Sequence, residues 1–139
     1  MVRISNARAI AALDALVDGM DVDDPILRVY TGSAPTNVED AATGTLLATV
    51  ALNTTAAFGA ASDANPGAVC SLQSVSLSDN SIDATGTAGY FRIWNAAAST
   101  AYIQGSVGTS ATDMIVNSVE FQTGATFTIT SLTLTLPET

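Results

Sequence analysis

The sequence predicts a mainly β protein: an antiparallel β-sandwich, jelly-roll-like or Greek-key, preceded by one N-terminal α-helix. Three observations predict it. Apolar residues recur at helical spacing between Ser5 and Met20, and from Ile26 onward the period changes to two. Turn signals divide the second part into seven or eight short β segments. Ile, Leu, Val and Phe fill 34 of 139 positions, enough for a packed core. Residues 1–24 are read as the helix and an acidic linker, and residues 25–139 as the sandwich, in one structural unit.

The helix is expected over about residues 6–18. Ile10, Leu13, Leu16, Val17 and Met20 close one face, with Asp14 and Asp18 on the other. Ser5 or Asn6 can cap its start, Gly19 can end it, and the alanines between favour helix. Asp21-Val22-Asp23-Asp24-Pro25 breaks the pattern. Carboxylates are calcium ligands, but an EF-hand loop counted from Asp21 would need Gly and Glu where Ile26 and Gly32 stand. The segment is therefore read as a solvated linker, with no metal.

Strands are expected at 26–31 and 45–52, the first closed by the Gly-Ser-Ala-Pro turn at 32–35. Residues 53–68 read as a long surface loop anchored by Phe58, and weak strands follow near 69–77 and 81–84. Thr87–Asn95 sets Tyr90, Arg92 and Trp94 on one face against Phe91 and Ile93 on the other. It pairs with Ala101–Val107 as a hairpin through Ala96–Thr100. Met114–Val119 and Ala125–Leu136 complete the set. In the last, Phe127 and Ile129 have one parity and Leu132, Leu134 and Leu136 the other, so a bulge is expected near Thr130-Ser131.

Composition excludes several functions. Four arginines and no lysine face thirteen acidic residues, for a net charge of −9. Phosphate recognition needs clustered cations, and Arg3, Arg8, Arg28 and Arg92 are scattered, so neither nucleic acid nor an anionic membrane is an expected partner. There is no histidine and a single cysteine, Cys70, so imidazole-based catalysis, an intrachain disulfide and a cysteine zinc site are excluded. Cys70 reads as a small buried hydrophobe between Val69 and Leu72. Gly86-Thr87-Ala88-Gly89 and Gly105-Ser106-Val107-Gly108 precede no helix and read as turns rather than phosphate cradles. Asn53-Thr54-Thr55 matches a glycosylation sequon but follows no secretory signal. Asp79 with Asp83, or Asp113 with Glu120, are the carboxylate pairs a glycosidase would need, and nothing sets them across a cleft. The chain is expected to be no enzyme and to hold no cofactor. No apolar run is long enough to span a bilayer, which predicts a soluble product of a cytoplasm.

Several segments carry a resemblance. They are Leu27–Gly32, Ala34-Pro35, Ala42–Ala48, Ala84–Arg92, Gln104–Thr109, Ser131–Pro137 and the Ala-Leu-Asp-Ala-Leu helix. Together they resemble a group of small acidic virion structural proteins of tailed bacteriophages, of the capsid decoration (cement) type. The resemblance implies a protein made in a bacterial cytoplasm and located on the virion, at the capsid exterior. The implied partners are the major capsid protein and copies of itself, a trimer first and a dimer second. A tail, baseplate or fibre component, including a receptor-binding domain, is the alternative. The resemblance supplies no catalytic residues.

Few charges and a mean hydropathy of +0.35 fit a surface covered in an assembly. Expected subunit or capsid contacts are Ile10, Leu13 and Val17 on the helix, with Tyr90, Arg92 and Trp94 on the strand. Tyr, Trp and Arg are enriched at interface hot spots, and Arg92, isolated in so acidic a chain, is expected to pair with a carboxylate.

Overall fold

The structure, a computed structural model, describes residues 2–52, 57–73 and 77–137. It is mainly β, with 42% strand and a single helix ahead of a mixed, largely antiparallel, sandwich-like sheet. The helix is α1 (Asn6–Asp21). The strands are β1 (Ile26–Thr31), β2 (Leu46–Ala51), β3 (Ser62–Asp63), β4 (Ala68–Ser71), β5 (Ser78–Asp79), β6 (Gly86–Trp94), β7 (Ala101–Gly108), β8 (Met114–Val116), β9 (Glu120–Phe121) and β10 (Phe127–Leu136). Their spatial order is β2-β1-β6-β7-β8-β10-β4-β3, with β5 beside β10 and β9 beside β6.

The expected strands appear, with the one near 69–77 formed as β4 alone (residues 74–76 of it lie outside the described residues), Met114–Val119 shortened to β8, and two larger differences. The segment 81–84 is not a strand. Asp79 Oδ1 accepts from the Ser81 amide at 2.8 Å, a local turn bond that competes with a ladder. Ile82 instead anchors the turn in the core at 3% exposure, while the Asp83 amide donates to the Leu47 carbonyl. The second difference is that β7 and β8 pair in parallel, through Val107↔Met114 and Gly108↔Ile115. The phase change in β10 is present, as a register shift between Ile129 and Ser131 against β8. It lets Phe127, Ile129 and Leu132 all enter the core in spite of their mixed parity. Phe58 anchors its loop as expected, bridged to Leu72 and buried. The sequon at Asn53 lies outside the described residues.

Helix α1 runs to Asp21, past Gly19, because the chain is stopped by Asp24 in the left-handed region just before Pro25. Ala9, Leu13, Val17 and Met20 enter the same core as Leu27, Phe91, Ile93 and Leu132. Leu16 does not; it is 42% exposed. Asp14 is also not on a free face. Three polar side chains on α1, two turns apart, fasten it to the chain between β2 and β4. Asn6 donates to Asp63 Oδ1 at 2.7 Å and accepts from the Gly67 amide, Asp14 accepts from the Ala61 amide at 2.7 Å, and Asp21 accepts from the Ala57 amide. These bonds satisfy loop amides that no strand serves. Ser5 caps the helix with its backbone carbonyl alone.

Cys70 sits beneath α1 on β4 and is 3% exposed. Burial, with the Asp14 carboxylate adding to it, pushes its thiol up to about 11. Only the thiolate is nucleophilic. Cys70 is expected to resist a thiol-reactive dye at pH 8 in the folded protein and to react stoichiometrically in denaturant. Fast labelling under native conditions would contradict the docked position of α1.

Candidate functional site

Two places gather the residues of interest: the outer face of the β2-β1-β6-β7 layer, and a split between β7 and β10. On the outer face, register sets Tyr30 beside Tyr90, Arg28 beside Arg92 and Ile26 beside Trp94. Tyr30 and Tyr90 stack with centroids 5.1 Å apart, and Gln104 lies beside Arg92 from β7. The connection between β1 and β2, residues 32–45, folds over this face. Its hinge needs close backbone approach: a Cβ on Gly89 would collide with the Gly32 carbonyl.

Arg92 is the latch. It is 0% exposed, and each of its hydrogen bonds goes to a neutral acceptor. Nε donates to Gln104 Oε1 at 3.0 Å, Nη1 to the Asp40 carbonyl at 2.6 Å and Nη2 to the Asn37 carbonyl at 3.3 Å. Its guanidinium carbon lies 5.6 Å from the Trp94 ring centroid and 6.0 Å from that of Tyr90. The expected carboxylate partner is replaced by carbonyl dipoles and ring faces, which stabilise a desolvated cation without an ion pair. Gln104 Nε2 donates to the Pro35 carbonyl at 2.6 Å. The Tyr90 hydroxyl donates to the Thr43 carbonyl at 2.7 Å and accepts from its amide at 2.9 Å. Arg28 Nε and Trp94 Nε1 are buried with no partner among the described residues.

Of the expected contact residues, Leu13, Val17, Tyr90 and Arg92 are therefore enclosed by the chain's own fold, and Ile10 and Trp94 are half-buried. Phe91 and Ile93, on the opposite parity, are buried too. Both faces of β6 are covered, one by the core and one by the 32–45 connection.

The split arises where β8 starts. Strand β7 pairs with it only at Val107 and Gly108, and β10 only at Ile129, Ser131 and Leu132. Because β8 is parallel to β7 and antiparallel to β10, Ala101–Ser106 and Thr133–Leu136 both run on beyond its N-terminal end. Asp113 stops the apex: its Oδ2 accepts from the Ser106 amide at 2.8 Å and hydroxyl at 2.7 Å, and its carbonyl accepts from the Thr133 amide at 3.2 Å. Below lies an open cleft of about 220 Å³, mostly apolar, bounded by Leu13, Leu16, Phe91, Ile103, Leu134 and Leu136. Gly105 makes room for its floor, since a Cβ there would lie 2.7 Å from the Phe91 ring. The volume falls below the roughly 300–1,000 Å³ of small-molecule sites.

Two further carboxylates hold neighbouring segments together. Asp79 accepts from the Thr49 and Ser81 amides, and Glu120 accepts from the Thr87 hydroxyl with both oxygens. The acidic segment after α1 is fastened rather than free. Asp21 holds Ala57, the Asp23 carbonyl accepts from the Ala96 amide, and the Asp23 carboxylate accepts from the Tyr102 hydroxyl. That hydrogen bond, with smaller contributions from burial and the aspartate charge, raises the Tyr102 pKa above its ordinary value. Among the described residues no group of three or more Cys, Asp or Glu side chains is placed to hold a metal ion.

The sequence reading named Gln104 and Asp113 but not what they do, the one bonding Arg92 and Pro35 and the other closing the split, and it missed the fastening role of Asn6, Asp14 and Asp21. The last had a visible signal, since positions 6, 14 and 21 return to one helix face. Comparison with protein-family models, with curated proteins and with solved structures finds no match to the chain.

Proposed function

We propose that this chain is a structural protein of a tailed-phage particle, a decoration protein that binds the outer surface of the head. The observation that carries this reading is where the positive charge goes. Arg92 is enclosed and Arg28 half-buried, so Arg3 and Arg8 are the exposed cations of a chain at −9. A surface of that kind is repelled by packaged nucleic acid and suits the solvent side of a shell. The resemblance of the Leu27–Gly32, Ala84–Arg92 and Ser131–Pro137 segments to phage virion proteins supports the particle itself. The latched outer face and the fastened helix suit a rigid part, which loses little conformational entropy on assembly. Its partners in this reading are the major capsid protein and further copies of itself, in a trimer first and a dimer second.

Copy number separates this from a tail or baseplate role. Particles banded from a lysate of the strain carrying the gene are expected to hold the chain at hundreds of copies, by gel densitometry against the major capsid protein. A handful of copies would place it in the tail, and none would reject the virion reading.

A further inference from the structure

We propose that the split between β7 and β10 is the docking site of a second copy of this chain, which enters it with its extended segment Val2–Ser5. Along the split, two strand edges run without a strand between them. In β7 the Ser106 amide faces outward to Asp113, so the amide of Gln104, two residues back, faces the same way. In β10 the Thr133 amide faces outward to the Asp113 carbonyl, so that of Thr135 does too. Among the described residues, neither Gln104 nor Thr135 has a backbone partner on that side. Unpaired edges beside an apolar floor are the arrangement that strand addition fills: main-chain bonds hold the incoming segment, and alternate side chains fill the cleft.

Val2–Ser5 fits what is missing. It alternates apolar and polar, and its two apolar side chains stand exposed on their own chain. Val2 is 90% exposed and Ile4 41% exposed. Ser5 is extended, with no turn to fold the segment back alongside Leu13 and Leu16 of the same helix. Charge selects the same element. Two copies at −9 repel each other, and the exposed arginines, Arg3 and Arg8, sit in this segment and just after it. The Asp113 carboxylate stands at the apex of the cleft they would approach. Val2 and Ile4 would enter the cleft and Arg3 would face outward. The inference does not rest on the virion reading.

The test uses the full chain. One pool carries Ile4→Cys, a second carries Leu136→Cys, on the cleft-facing side of β10, and a different tag, and the two are mixed and mildly oxidised. The expected result is a disulfide-linked pair containing both tags; Cys70, buried, stays silent. In sedimentation, the wild type is expected to associate, and Val2→Asp/Ile4→Asp to weaken association tenfold or more with an unchanged melting temperature. A wild type that is monomeric at every concentration, association that the double variant leaves intact, or a cross-link formed only within a chain carrying both cysteines would each overturn the proposal. A monomer found at hundreds of copies per particle would reject this inference and leave the virion reading standing.

Discussion

Arg92→Ala is expected to lower stability by about 3–5 kcal/mol, the combined cost of a large cavity and of buried acceptors left without a donor. The substitution empties a large enclosed volume and strands the Asp40 and Asn37 carbonyls and Gln104 Oε1 without their donor. The whole 32–45 connection then loses its central fastening, leaving the Tyr90–Thr43 and Gln104–Pro35 bonds at its two ends. Arg92→Lys should recover little, because a single ammonium cannot reach three acceptors spread around a planar fork. Urea unfolding checks this through the midpoint, with the slope showing whether the native state has loosened. An Arg92→Ala midpoint within error of wild type would mean that the connection is held by other contacts.

Leu13→Asp is expected to cost about 4 kcal/mol or more, a large part of the stability of an ordinary small domain. Leu13 is 2% exposed on the buried face of α1, so the change removes an apolar contact and places a carboxylate where nothing answers it. Leu13→Ala, which leaves only a cavity, is expected to cost about 2–4 kcal/mol and to stay folded. Thermal melts of the pair separate the two contributions. If Leu13→Asp melts like the wild type, α1 is not part of the core.

Patterns of side chains were legible in the sequence; arrangements made by backbone were not. The helix was readable because its apolar positions repeat about every 3.6 residues, and the bulge in β10 because Ile129 and Leu132 have opposite parity. Leu16 and Asp14 were assigned to the wrong sides of the helix for one shared reason. The helix packs on β4, β10 and β3 with Asn6, Asp14 and Asp21 turned to the loop that they fasten, so Asp14 is engaged and Leu16 is left at the margin of the buried face. The cover over Tyr90 and Arg92 left no trace in residue 32–45 composition, since its bonds are made by the carbonyls of Pro35, Asn37, Asp40 and Thr43, and every residue carries one. That is why an enclosed latch read as an exposed contact surface. The cleft was equally hidden: it opens where β7 and β10 both run past Met114, the first residue of β8, and that follows from the parallel pairing of β7 with β8, which no side-chain pattern announces.

The measurement that bears most directly on the functional account is the position of this chain on an intact particle. Antibody against the folded protein, detected by immunogold electron microscopy on particles from the strain carrying the gene, gives it. The account predicts gold over the whole outer surface of full, unbroken heads, at many sites per head. Gold confined to tail tips or baseplates, or heads that label only after they are broken open, would contradict it.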